Sequence, residues 1–160
     1  MNDLQDPVNR IIARYGLAPH PEGGFYREVF RSRSLVISSV TERPRQAVTH
    51  IYFLLPRGQV SRFHRVVHDE IWNFYEGAPV RLITFDGQSV QETRIGPEPE
   101  GYAAVVPGGV FQAAESTGAY SLTGCTVAPG FDFSDFAFLS GNRPMAEILH
   151  RDHSSYSAFL

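Results

Sequence analysis

The chain has 160 residues, a formal net charge of -3, 42% hydrophobic and 19% charged residues, and one cysteine, Cys125. That length fits one domain whose core needs no disulfide, so a single unit over 1–160 with its core at about 17–135 is expected. The absence of a basic run excludes a nucleic-acid partner, the lone cysteine excludes an internal disulfide and favours a reducing compartment, and no stretch approaches the roughly 20 apolar residues of a membrane span or forms a signal core, so a soluble cytoplasmic protein is expected.

The first element reads as a helix. Asp6 can cap it, Pro7 suits its first position, and Gly16 can end it. Val8, Ile11, Ile12 and Tyr15 recur at helical spacing and give one apolar face. From Gly24 onward the period becomes two. Strands are predicted at 24–31, 35–40, 48–55, 60–66, 70–76, 79–85, 89–94, 101–106, 110–115 and 120–127. The run His20-Pro21-Glu22-Gly23-Gly24 reads as turn chemistry feeding the first strand. Asp86-Gly87, between Phe85 and Val90, is a hairpin signal. A closing helix at 144–151 is opened by Pro144. Many short strands separated by turns predict an all-β sandwich or barrel.

Two spaced patterns stand inside those strands. Gly58 is followed after five residues by His64, then by Val66 two on, Glu70 four further and Gly77 seven further. Gly101 is followed by Pro107 six on, Gly109 two further and Gln112 three beyond. His64 and Val66 are two apart on one strand and face the same side. Glu70 opens the next strand, and Pro107-Gly108-Gly109 turns into the strand of Gln112. In a closed barrel the inward positions of these strands converge, so His64, Glu70 and Gln112 are expected in one pocket.

These spacings resemble the two motifs of the cupin superfamily. Val66 and Gln112 stand at two of its four ligand positions, normally histidines, and Ser116 replaces the closing Asn. The runs Pro21-Glu22-Gly23-Gly24-Phe25-Tyr26-Arg27-Glu28, Phe63-His64-Arg65, Asp69-Glu70-Ile71-Trp72, Phe74-Tyr75-Glu76-Gly77 and Val127-Ala128-Pro129-Gly130-Phe131 are similar to a small cupin-5-type family of uncharacterised proteins. The resemblance implies a jelly-roll, double-stranded β-helix barrel with short terminal helices. It also implies a homodimer and a distant likeness to sugar-nucleotide epimerases. A physical reason stands beside the dimer, because the edge strand after Gly24 lacks a partner.

Three readings of the pocket follow. In the first, His64 is the general base of an isomerase or epimerase acting on a carbohydrate or nucleotide-sugar ligand, because imidazole titrates near neutrality. Glu70 positions it, Tyr26 or Tyr75 is the acid, and Glu28, Tyr52, Arg62, Trp72 and Gln112 bind substrate. By strand alternation Arg62 shares the face of His64 and holds an anionic group. In the second, the pocket binds a small ligand without reaction, and His64 is a buried histidine satisfied by hydrogen bonds. In the third, a divalent metal of the dioxygenase type sits on His64, Glu70 and Gln112, a donor set short of histidines. Cys125 reads as core, and His20, His50, His68, His150 and His153 carry no spacing signal.

Overall fold

The computed structural model describes residues 6–160, and its elements follow the expected order closely. Helix α1 (Pro7–Tyr15) starts where the Asp6 carboxylate accepts the Val8 N–H at 3.0 Å and stops at Gly16 with φ +61°. There follow β1 (Ala18–Pro19), β2 (Phe25–Arg31), β3 (Leu35–Ile37), β4 (Pro44–Gln46), β5 (Thr49–Pro56), β6 (Val60–Val66) and β7 (Asp69–Gly77). Then come β8 (Val80–Phe85), β9 (Val90–Ile95), β10 (Ala103–Val106), β11 (Phe111–Ser116), β12 (Tyr120–Ala128), β13 (Phe136–Phe138) and α2 (Arg143–Asp152). The strands β1, β4 and β13 were not foreseen; each has two or three residues, too few to show a period. The expected strand 35–40 ends at Ile37, where the chain turns at Ser38.

The strands form a six-stranded sheet in the order β1-β2-β5-β12-β7-β10, a five-stranded sheet β13-β6-β11-β8-β9, and the small pair β3-β4. Phe53, Leu55, Trp72 and Cys125 of the first large sheet pack against Val80, Leu82, Ile95 and Ala114 of the second. Two antiparallel sheets closed over one core make the jelly-roll barrel. Helix α1 lays Ile11 on Leu54 and Leu122 of the six-stranded sheet. On the other side Leu139, Leu149 and Phe159 cover Phe63, Phe85 and Phe111, so the packing continues beyond the expected core of 17–135.

Two irregularities set the inward side chains. In β6, His64 pairs with Gln112 and Ser61 with Ala114, so Arg62 and Phe63 oppose the single residue Ala113. This bulge lets both Ser61 and His64 face inward and turns Arg62 out to solvent. The second is the turn before β2. His20 N–H donates to Gly24 O and Gly23 N–H to His20 O, both at 3.0 Å, and Arg62 N–H donates to Glu22 O at 2.8 Å. Gly23 has φ +112°, and a Cβ there would lie 2.0 Å from the Val60 carbonyl oxygen. The turn is therefore docked on β6, and only glycine fits it.

Gly23→Ala is expected to destabilise the fold by about 3 kcal/mol, because it adds a backbone clash to a strained φ. Gly58→Ala, at φ +78° with no atom within 4 Å, is expected to cost only about 1–2 kcal/mol. Equal losses in urea denaturation would contradict the docked turn.

Candidate functional site

A cavity of about 430 Å³ opens between the 20–24 turn, β2, β6, β7, β12 and the 131–136 segment. Its size is that of a small-ligand pocket. At its deepest point is His64, 2% exposed. The ring Nδ1 donates to the Arg62 carbonyl at 2.7 Å, which fixes the neutral ring as the Nδ1–H tautomer and leaves Nε2 bare. Nε2 is 3.0 Å from Glu22 Oε2. Glu22 is buried as well, and its Oε1 accepts the Ser61 hydroxyl at 2.9 Å.

Burial decides where the proton between these two groups sits. It pushes the Glu22 carboxyl up to about 8, against the opposing Ser61 bond and Arg62 charge. It also holds the His64 imidazole below its ordinary value, against the charge of Glu70 and the bond to Arg62 O. Near neutrality Glu22 is therefore a carboxylic acid donating to a neutral imidazole. His20 stands beside the pair. Its Nδ1 accepts the Glu22 N–H at 3.2 Å, so its 3.6 Å approach to Glu22 Oε2 is not an ion pair. Burial, then the charge of His64, lowers its pKa to about 4.

Glu70 completes the cluster. Burial raises its pKa to about 7, with the charge of His64 working against the rise. The Gln112 Nε2 donates to Glu70 Oε2, and the Trp72 indole N–H donates to Gln112 Oε1 at 2.8 Å. The chain Trp72–Gln112–Glu70 thus spends both ends of the buried amide.

His64, Glu70, Tyr26 and Glu28 line the cavity together. The other five residues predicted for the site lie elsewhere. The β6 bulge turns Arg62 outward, where Nη2 donates to Pro21 O at 2.7 Å and the guanidinium lies over Phe138. Trp72 is buried in the core edge-on to Phe53 and is no pocket wall. Gln112 is fully buried behind Glu70 and does not line the cavity. Tyr75 stands an odd number of residues from Glu70, so alternation carries it to the opposite sheet face. There its hydroxyl is 2.9 Å from His50 Nε2 and its ring is edge-on to Tyr52, which alternates away from the cavity residue Ile51.

Four features escaped sequence reasoning. Glu22 and His20 read as turn residues, yet the docked turn aims both inward. Cys125 is core, as expected, but it also lines the cavity beside Glu70, and burial raises its thiol pKa. Phe131, Phe133 and Phe136 supply an aromatic wall, where the sequence offered Trp72 as the aromatic substrate-binding residue. The only sequence signal was a charged residue caught between a proline and two glycines at a strand start.

The residues present do not fit a cupin metal. Val66 offers no donor atom, and the Gln112 amide oxygen is engaged by Trp72. Among the described residues, no three His, Cys, Asp or Glu side chains group so as to hold a metal ion. What remains is a set of proton donors and acceptors.

The raised carboxyls make stability depend on pH. Glu22 and Glu70 ordinarily titrate at 4.5 but at about 8 and about 7 in the fold. Between those values the native state holds protons that the unfolded chain has released, so stability present below 4.5 is lost as pH rises through 7 to 8. His20 runs the other way, and its destabilising effect is over by its ordinary 6.5. Stability is expected to fall from pH 6.5 to about 8.5, and Glu22→Gln to flatten that fall, read as urea midpoints at each pH. The same slope in both proteins would contradict the buried-acid assignment.

The comparisons agree with this architecture. The family described as Cupin superfamily (DUF985) matches residues 9–139. The uncharacterized protein YML079W of Saccharomyces cerevisiae is 28% identical over 181 residues, with 100% of this chain and 89% of that protein covered. The crystal structure of protein SO0799 from Shewanella oneidensis superposes with a TM-score of 0.83 at 31% identity, covering 95% of each chain. A hypothetical protein from Leishmania major gives 0.79 at 31%, covering 92% of this chain and 93% of its own. No helix among the described residues is long and apolar enough to cross a membrane. Matched over most of its length and sharing the barrel, the chain belongs to the DUF985 family of the cupin superfamily.

Proposed function

We propose that the cavity is an acid–base site of the isomerase or epimerase type, acting on a small carbonyl-bearing carbohydrate or a nucleotide-linked sugar. The observation that carries this reading is the 3.0 Å contact between His64 Nε2 and the Glu22 carboxyl inside the cavity. It holds a proton on a group that titrates at about 8, close to neutrality, where a group can both give and take a proton.

The chemistry follows from that proton. A bound carbonyl oxygen takes the hydrogen bond of the Glu22 acid, which frees Nε2. His64 then accepts the proton of the adjacent C–H, and the bond's electron pair moves toward the oxygen, which takes the Glu22 proton. The charge of Glu70 favours the imidazolium that forms. Tyr26 donates its hydroxyl proton to the carbon from another direction, and the oxygen returns its proton to Glu22. Solvent takes the imidazolium proton and reprotonates the phenolate. The phenylalanine wall offers a flat apolar face to a sugar ring.

Deuterium exchange of the α-proton in heavy water tests this on a panel of keto sugars and nucleotide-linked keto sugars. The wild type is expected to exchange at least one member. His64→Ala is expected to exchange it at least about 100-fold more slowly, with folding retained. Undiminished exchange in His64→Ala would overturn the role of His64. Binding without exchange in the wild type would make the cavity a ligand-binding module.

A further inference from the structure

The sequence placed a cation, Arg62, where a ligand's anionic group would sit, and the structure reverses the sign of the site. Arg62 lies outside the cavity. Of the two rim arginines, Arg31 is paired with an acid and Arg27 is held only by a backbone carbonyl. Arg31 grips both Glu28 carboxylate oxygens at 2.8 Å and also donates to Gln46 Oε1 and Phe131 O. Arg27 donates to Tyr15 O at 3.0 Å.

The deep cavity holds two carboxyls instead. Glu22 faces His20 from the turn and Ser61 and His64 from β6, with the Arg62 charge beyond. Glu70 faces Gln112 from β11, Cys125 from β12 and the His64 ring from β6. His20 and His64 are neutral near pH 7, so no permanent cation balances the pair. Ionising both carboxyls unaided would leave two negative charges out of water, so Glu22 keeps its proton near neutrality while Glu70, at about 7, is partly ionised.

The wall beside them is aromatic. Phe131 and Phe133 meet edge to face at 4.9 Å, Phe133 and Phe136 at 6.2 Å, and Phe136 stacks on the His64 ring at 5.2 Å. Ring faces attract cations, and desolvation strengthens the attraction. Carboxyls that lack a counter-ion and an aromatic wall in one cavity call for the same guest.

We propose that the cavity selects a small organic cation, with an ammonium head seated against the Glu70 carboxylate and the wall of Phe131, Phe133 and Phe136, which leaves the Glu22 acid free for the ligand's carbonyl. The proposal rests on the acid–base reading for the remainder of the ligand, so the substrate class it names is an amine-bearing carbohydrate, an amino sugar. An anionic sugar is rejected, because it would face the Glu70 carboxylate and no free arginine at the cavity's depth.

Isothermal titration at neutral pH with glucosamine, glucose and glucuronate as probes tests the charge preference. Glucosamine is expected to bind at least about tenfold more tightly than glucose, and glucuronate not at all. Glu70→Gln is expected to remove the preference of glucosamine over glucose; the wild-type comparison stands even if that variant folds poorly. Equal affinities, tighter glucuronate, or no binding of glucosamine would overturn the proposal. Glucosamine preference without deuterium exchange on any carbonyl sugar would sink only the acid–base reading. Exchange on neutral keto sugars with no preference for the amine would sink only the cation proposal.

Discussion

The depth of this cavity depends on one carboxyl held out of water. Glu22 lies between the Ser61 hydroxyl and the His64 ring, and its position is set by a turn that presses its backbone onto β6. The burial that makes Glu22 an acid near neutral pH also keeps His64 neutral, and the tautomer follows from the Arg62 carbonyl. Loosening the turn would let water reach both groups and return each toward its ordinary titration range. The close approach at Gly23 is therefore a condition of the proposed chemistry as well as of the fold.

The second constraint is the requirement that buried polar groups find partners. In a barrel whose sequence resembles metal-binding cupins, two expected histidines are Val66 and Gln112. The structure replaces metal ligation with a hydrogen-bond chain from the Trp72 indole through the Gln112 amide to Glu70. The chain fixes the amide's orientation, because only one way round satisfies an N–H donor on one side and a carboxyl on the other. Glu70 is thereby held at the cavity surface with a proton affinity tuned to neutrality.

Much of this was legible in the sequence, and the failures share a cause. The Asp6 cap, the Gly16 stop and the alternating strands depend on neighbours within a few residues, and they formed where expected. His64, Glu70, Tyr26 and Glu28 meet in the cavity because strand alternation is a local rule. Arg62 was misplaced because a bulge inserts one residue and leaves no mark in the pattern of side chains. Tyr75 was misplaced against the rule itself, since its parity with Glu70 already put it on the far face. Glu22 was missed because its partner Ser61 is 39 residues away. A turn's chemistry is visible in sequence, but the surface it docks on is not.

The proposed acid–base site depends on the protonation of one ring. Nitrogen-15 NMR of histidine-labelled protein at about pH 6.5, where an ordinary imidazole is half charged, reads it directly. Burial lowers the His64 pKa, so the ring is predominantly neutral there, with its proton on Nδ1 and a bare Nε2 accepting from Glu22. A predominantly charged His64 imidazolium at that pH, or a neutral ring carrying its proton on Nε2, would contradict the buried-acid pair on which the proposed chemistry rests.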